Sequence, residues 1–364
     1  MQMSFFPSRA LAFYMGRTFL WRCIAMLAML VLVLQALDLL SEAGRVLAHP
    51  GNGEAQLWRY VSLRLPQITA TFLPFAVLLG TIITLTTLNA NSEIVSMKAA
   101  GLSAHQVLAP LMLVAGVIAV GSFTFNERIV VRSTATLAAW NAAGYGEVPP
   151  DSGVKSNVWI RDGEDLVHAD FIAGRGEQVT LRNITVYDRA GGNLVSTLES
   201  ARGRRDGNGW RLEGVKRFDV AGGNVRSLGT VHMLPDVRPD QFTLSSVDAE
   251  GLSYWELGDA ITALKAAGRP TSGLEAAHWH KIAGPLSTLL MPLLGAMAGF
   301  GLARSGKLFV RAVAGMALGF GFFVADNFSL AMGDLGAYPP VLAAWSPFLL
   351  FLLVGETVLI YTEE

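Results

Sequence analysis

Four stretches of this chain carry no charged residue: Ile68 to Leu88, Val107 to Phe125, Ile282 to Ala303 and Ala337 to Gly355. A helix needs about 18 to 20 apolar residues to cross a ~30 Å hydrocarbon layer, so each stretch is long enough to span a membrane. Two further runs are interrupted only near their ends: Phe19 to Leu37 contains Arg22, and Leu308 to Leu330 contains Arg311 and Asp326. Six transmembrane helices are expected, three before residue 127 and three after residue 280. The chain therefore reads as a membrane half (1–126), an inserted domain with connecting helices (127–280) and a second membrane half (281–364). Composition agrees, with 52% hydrophobic and only 16% charged residues, where an ordinary soluble domain carries about 25% charged.

Charge and cysteine content exclude several classes. Asp plus Glu number 29 against 28 Lys plus Arg, which leaves no basic surplus for a nucleic-acid partner. The lone cysteine, Cys23, rules out an intramolecular disulfide and a zinc site of several thiolates. The first apolar run is too long for a secretory signal and no small-residue cleavage site follows it, so it reads as a retained anchor. Orientation follows from the short connections. With the N-terminus in the cytoplasm, that side holds Arg9, Arg17, Arg22, Lys98, Arg304, Lys307 and Arg311, and the opposite side holds only Arg45, Arg59 and Arg64. The positive-inside rule thus puts both termini in the cytoplasm and the insertion on the far side, the periplasm of a Gram-negative cell.

The insertion reads as mostly β. Strand-like runs appear at Asn157 to Arg161, Leu166 to Ile172, Val179 to Arg189, Leu194 to Ala201, Trp210 to Val215, Phe218 to Val220 and Leu228 to Met233. Turn signals such as Asp162-Gly163 and Gly222-Gly223-Asn224 separate them. About seven short strands so punctuated suggest a sandwich or jellyroll-like domain. A helix is predicted over Ser253 to Ala267, with Ser253 and Glu256 as a capping box and Gly268 then Pro270 as the stop. Ser272 with Glu275 repeats the start signal before the fourth span.

Few motifs carry chemistry. Gly301 to Leu308 approaches a phosphate-binding loop, yet Leu308 stands where Ser or Thr must hold magnesium, and no strand precedes it. His278 and His280, two residues apart, fall on different sides of a helix and find no third ligand. Asn183-Ile184-Thr185 fits a glycosylation sequon that is common by chance. No serine or cysteine nucleophile motif, metal set or cofactor-binding motif is present, so a non-catalytic role is expected. Asp38, Asp326 and Glu356 lie near span ends, where a charge is either functional or interfacial. Gly295 with Gly299, and Gly315 with Gly319, are GxxxG pairs that permit close helix packing, internal or against a partner.

The connection from Asn89 to Gln106 is too polar to span and helical in composition, with Ser92 as its predicted cap. Its run Ser92-Glu93-Ile94-Val95-Ser96-Met97-Lys98-Ala99-Ala100-Gly101-Leu102-Ser103 joins three other features. They are the layout of three spans, β domain and three spans, the approach Trp279 to Leu286, and Tyr338-Pro339-Pro340 before the last span. Together these resemble the LptF/LptG family of lipopolysaccharide export permeases over essentially the whole chain. Tyr14 to Thr18, Leu257 to Gly268 and Gly319 to Asp326 resemble the LptG branch, with the LptF-type paralogue as the alternative.

The resemblance implies an inner-membrane permease subunit of an ABC-type exporter. ATP and magnesium would be used by a separate LptB-type ATPase dimer. The segment near 92–101 would be a coupling helix docking on that ATPase, with Glu93 as the charged contact, Met97 as an apolar contact and Gly101 as its end. The expected partners are an LptF-type permease, an LptC-type membrane-anchored periplasmic protein, an LptA-type bridge and lipopolysaccharide itself. Gln35, Asp38, Arg45, Arg311 and Asp326 are the candidates for the lipid cavity. Relatives can carry lysines where this chain has Gln35, Asp38, Ser41 and Glu42, which leaves Arg45, Arg59 and Arg64 as the nearby cations. A membrane-anchored envelope assembly scaffold and a membrane enzyme acting on lipid are the alternatives from other classes.

Overall fold

A computed structural model describes residues 8–146, 155–173, 179–207, 209–220, 222–235, 237, 249–266, 269–299 and 308–363. The elements in chain order are α1 (Arg9–Leu47), α2 (Glu54–Ala90), α3 (Glu93–Ala99) and α4 (Ala104–Phe125), then a π-helical turn (Asn126–Val130) and α5 (Val131–Ala142). Six strands follow: β1 (Lys155–Asp162), β2 (Asp165–Ala173), β3 (Thr180–Ala190), β4 (Asn193–Asp206), β5 (Gly209–Asp219) and β6 (Asn224–Met233). Then come α6 (Tyr254–Ala266), α7 (Ser272–Ser287), α8 (Leu290–Gly299), α9 (Leu308–Asp334) and α10 (Pro340–Glu363). Contacts divide the chain into two units, one of Met1–Glu42, Trp58–Thr134 and Ala249–Glu364, the other of Ala43–Leu57 and Ala135–Asp248. The division thus falls at 134/135 and 248/249 rather than at the expected 126/127 and 280/281, because the third-span helix runs on to Ala142 and α6 and α7 pack with the helical unit.

In the helical unit, five helices among the described residues are long and apolar enough to cross a membrane. The expected fourth span is instead built from α7 and α8. α7 ends at Ser287, where the bonds tighten to i−3: Thr288 N–H donates to Pro285 O at 3.2 Å and Leu289 N–H to Leu286 O at 2.9 Å. The core draws on nearly every helix, from Met15, Phe19 and Cys23 of α1 through Leu78, Ile82 and Leu85 of α2 to Leu294 of α8 and Phe322 of α9. Small residues set the approach distances. A Cβ on Gly295 would lie 2.8 Å from Thr81 Cγ2, and one on Gly319 would collide with Leu78. Gly315 also faces α2, in ordinary contact with Ile82. Of the two GxxxG pairs, Gly295, Gly315 and Gly319 therefore pack on α2 of the same chain.

The β unit is one antiparallel sheet in the order β1-β2-β3-β4-β5-β6, so every strand pairs with its sequence neighbour. Among the described residues the jellyroll-like expectation resolves into this meander, without the crossed strand order of a Greek key. The runs at Trp210 to Val215 and Phe218 to Val220 form one strand, β5, interrupted by a bulge near Gly214, which takes φ +70°. Inward side chains build the core, with the alternation slipping by one residue at Asn183 of β3: Val158, Val167, Leu181, Ile184, Val186, Trp210 and Leu212 are all buried. Trp210 Nε1 donates to Val237 O at 2.7 Å, which satisfies its polar atom inside that core. Across β4, β5 and β6, Asp206 accepts from His232 at 2.7 Å and from Arg211 at 2.5 Å. Those two partners, His232 foremost, hold its carboxyl below the ordinary carboxylate range.

Helix starts are partly as read. The capping box at α6 is formed, with Glu256 N–H donating to Ser253 Oγ at 3.3 Å and Ser253 N–H to Glu256 Oε2 at 3.0 Å. At α7 the cap is Thr271 rather than Ser272, its hydroxyl donating to Glu275. The predicted stop at Gly268 and the segment Gly301 to Lys307 lie outside the described residues.

Candidate functional site

The connection between α2 and α4 is a built element rather than a slack loop. Ser92 precedes α3 in the left-handed region (φ 61°) and does not cap the helix with its side chain, so the predicted Ser92 cap is absent. The helix is fixed from the inside instead: Ile94 and Met97 are 2% and 7% exposed and belong to the core of the helical unit. Val95, Ser96 and Lys98 face outward. Gly101 closes the helix at φ +85°, its N–H donating to Lys98 O at 2.9 Å while Leu102 N–H reaches Met97 O at 3.1 Å. That pair of bonds is a Schellman stop, which requires the left-handed conformation a glycine adopts most readily. A capping box of Ser103 and Gln106 then starts α4. Glu93, in the first turn of α3, is half-buried and accepts from Asn91 Nδ2 at 3.2 Å and Tyr14 Oη at 3.5 Å. On the same side of the bundle, His105 and Glu356 join α4 to α10 at 3.1 Å.

A polar relay ties α1 to α2 near the other end of the spans. Asp38 accepts from Tyr60 Oη at 2.6 Å and from Arg64 Nε at 3.1 Å. Arg64 also donates to Gln67, whose amide reaches Glu250 at 3.0 Å, just before α6. A second pair crosses from α7 to α9, with His280 Nε2 2.9 Å from Asp326 Oδ2. Glu127, in the π-helical turn, accepts the Tyr254 N–H at 2.9 Å with both oxygens and so anchors the start of α6.

The sequence profile of the family described as "Lipopolysaccharide export system permease LptF/LptG" matches residues 13–361. The chain belongs to that family. The LptG permease of Escherichia coli K12 is 27% identical over 362 residues, covering 96% of this chain and 97% of that one. The LptG permease of Haemophilus influenzae is 26% identical over 316 residues, covering 84% and 86%. The family is a transport component of the inner membrane, and this chain is a multi-pass lipopolysaccharide export permease.

In the permease, the residues singled out from sequence fall into separate places. Glu93 and Gly101 border one exposed helix, whereas Met97 turns inward and is no surface contact; Val95, 48% exposed, is the apolar side chain that α3 presents. Period 3.6 puts Ile94 and Met97 on one face, and only the packing of α3 decides that this face is the inner one. Among the lipid-cavity candidates, Asp38 is engaged by Tyr60 and Arg64, so Arg64 is already paired with a carboxylate. Gln35 is 7% exposed and its amide has no hydrogen-bond partner among the described residues. Arg45 donates to Asn141 at 3.4 Å within the β unit. Asp326 pairs with His280, and the side chain of Arg311 lies outside the described ones. Gly299 ends α8 with surroundings that also lie outside them. Tyr60, Gln67 and Glu250 carry no signal in the sequence, and His280 is marked there only by its spacing from His278.

Proposed function

We propose that this permease is the LptG-type transmembrane subunit of an ABC-type complex that extracts lipopolysaccharide from the outer leaflet of the inner membrane. Its termini and α3 lie in the cytoplasm and its β unit in the periplasm, in line with the Lys and Arg asymmetry. An LptB-type ATPase dimer docks on α3, an LptF-type permease completes the lipid cavity, and LptC-type and LptA-type proteins receive the lipid. The observation that carries this reading is α3. It is a seven-residue helix anchored by Ile94 and Met97 in the same core that holds α2 and α4, with Glu93 and Val95 at its outer side. A push on such a helix is transmitted to two spans, because packed interiors move as units rather than deforming locally. The exposed apolar side chains of α1 (Trp21, Leu32, Leu40) and α9 (Phe320, Val324, Phe328) support a role for those helices against a partner permease or lipid.

Glu93→Gln removes the charge with little change in shape. In the purified complex it should weaken ATPase association or uncouple hydrolysis from lipid release, and Glu93→Arg should do so more strongly through like-charge repulsion. A complex with Glu93→Arg that keeps its ATPase and transports at the original rate would remove this residue from the coupling surface.

A further inference from the structure

The turn between α1 and α2 is built to reach the end of α5. In His49-Pro50-Gly51-Asn52 the proline and the left-handed glycine (φ +93°) make a tight reversal, which the Asn52 N–H closes on His49 O at 3.1 Å. Here the Asn52 side chain meets two backbone carbonyls. Its Nδ2 donates to Val46 O at 2.8 Å, one of the orphan carbonyls in the last turn of α1, and to Tyr145 O at 2.9 Å, just past the end of α5. An amide nitrogen carries two hydrogens, so both bonds form at once. Tyr145 offers its carbonyl from a strained backbone: it follows Gly144 (φ +61°) and itself takes φ +62°, a conformation that a bulky side chain rarely adopts. Burial fixes it there, 4% exposed and edge-on to Trp140 with ring centroids 5.2 Å apart. Two further approaches flank the amide. Arg45 meets Asn141 at 3.4 Å, and Gly146 comes so near His49 that a Cβ on it would lie 2.8 Å from the imidazole Cε1.

All of these residues belong to the unit that contains the six strands, in which Ala43–Leu57 groups with Ala135–Asp248. Yet α1 is one uninterrupted helix from Arg9 to Leu47, with no internal proline. Its last turn is therefore held by the β unit while the rest of it forms the first span. Rigid secondary elements carry displacement along their length, and a strained backbone persists only where its surroundings over-determine it. We propose that Asn52 latches α1 to the β unit, so that the two move as one body and the exposed apolar face of α1 (Trp21, Leu32, Leu40) shifts whenever the β unit does. Passage of lipid beside α1 and reorientation of the β unit are then a single event. That consequence rests on the export reading; the latch itself does not.

The test uses the full chain in its assembled complex, with cysteine-free partners and Cys23→Ala as the background. Spin labels at Leu40→Cys and Lys216→Cys, both exposed positions, report on α1 and on β5. Their distance distribution by double electron–electron resonance should be narrow and the same in the nucleotide-free and vanadate-trapped complexes. Asn52→Leu keeps the bulk and removes both donors. It should broaden that distribution, and lipid release should fall about tenfold while ATP hydrolysis continues. A covalent latch should replace the hydrogen-bonded one: His49→Cys with Gly146→Cys, joined by a short bifunctional thiol reagent, should export at the native rate and should restore release to Asn52→Leu. If Asn52→Leu does not assemble, the bridged chain still decides. A distance that changes between the two nucleotide states, an unchanged distribution in Asn52→Leu, or a bridged chain that no longer exports would overturn the proposal. Distances that behave as expected in a complex that moves no lipopolysaccharide would uphold the latch and refute the export reading instead.

Discussion

α1 and α2 approach closely at Gly80, and adding one methyl group there is a sharp test of how they are held. An alanine Cβ would stand 2.5 Å from Cys23 Sγ, 3.0 Å from Cys23 N and 3.1 Å from Cys23 Cα. Carbon contacts are most favourable at roughly 3.5–4.0 Å, so the sulfur must move by about 1 Å and the α1 backbone by about half as much. Overpacking of this kind costs about 1–3 kcal/mol. Alanine's better helix propensity returns about 1 kcal/mol, so the net effect is a loss of up to about 2 kcal/mol. Gly121→Ala is the control, because nothing lies within 4 Å of the added atom and only the propensity gain remains. The assay is reversible unfolding of the detergent-solubilised chain in SDS mixed micelles, followed by tryptophan fluorescence. Adding Cys23→Ala should recover only part of the loss, since the contacts with N and Cα persist. If Gly80→Ala proves as stable as Gly121→Ala, the α1–α2 crossing is not set by this contact.

Three further outcomes are expected. Single cysteines placed in a Cys23→Ala background at Asp206 and Asp334 should react with an impermeant thiol reagent added outside, while ones at Ser103 and Ser305 should not; the reverse pattern would invert the topology. Tyr60→Phe removes a 2.6 Å hydrogen bond to Asp38 and should cost about 1.5 kcal/mol in the same unfolding assay, with Asp38→Asn costing more because Arg64 then loses its carboxylate as well. The Asp206 carboxyl should titrate below its ordinary value by carbon-13 NMR and move up in His232→Asn; because its folded-state value is depressed, its stabilising contribution is present above the unfolded value near 3.8 and is lost as pH falls through the folded one.

Hydrophobic run length made the spans legible, and turn chemistry made most strand ends legible. What escaped were features decided by three-dimensional register. Gly214 lies in a run that also reads as a strand end, and only pairing with β6 reveals a bulge that carries β5 onward. Thr271 and Ser272 are equally good caps by type, and the backbone angle of the entering chain selects the former. The break at Thr288 is invisible to a hydropathy scan because no charged residue marks it. The relay from Asp38 to Glu250 joins residues that lie as far as 183 positions apart, as Gln67 and Glu250 do, so no local pattern announces it. In the sequence Asp38 and Arg64 stand out only as separate candidates for the lipid, not as partners of each other.

The seating of Gly295 and Gly319 on α2 also has a consequence for how the chain is made. Leu78 emerges from the ribosome about 240 residues before Gly319, and at ~5–20 residues per second α2 waits roughly 10–50 s for its neighbours. During that interval it must sit in lipid with a face that will later be covered. Its threonines are suited to the wait: Thr81 donates to Val77 O at 2.8 Å, Thr84 to Gly80 O at 2.7 Å and Thr87 to Ile83 O at 2.7 Å. Each of these hydroxyls is satisfied by its own helix, so none of the three depends on a segment not yet translated. The helix can therefore enter the bilayer early with these threonines already satisfied, and the order of synthesis leaves it free to serve as the template on which the second half of the protein docks.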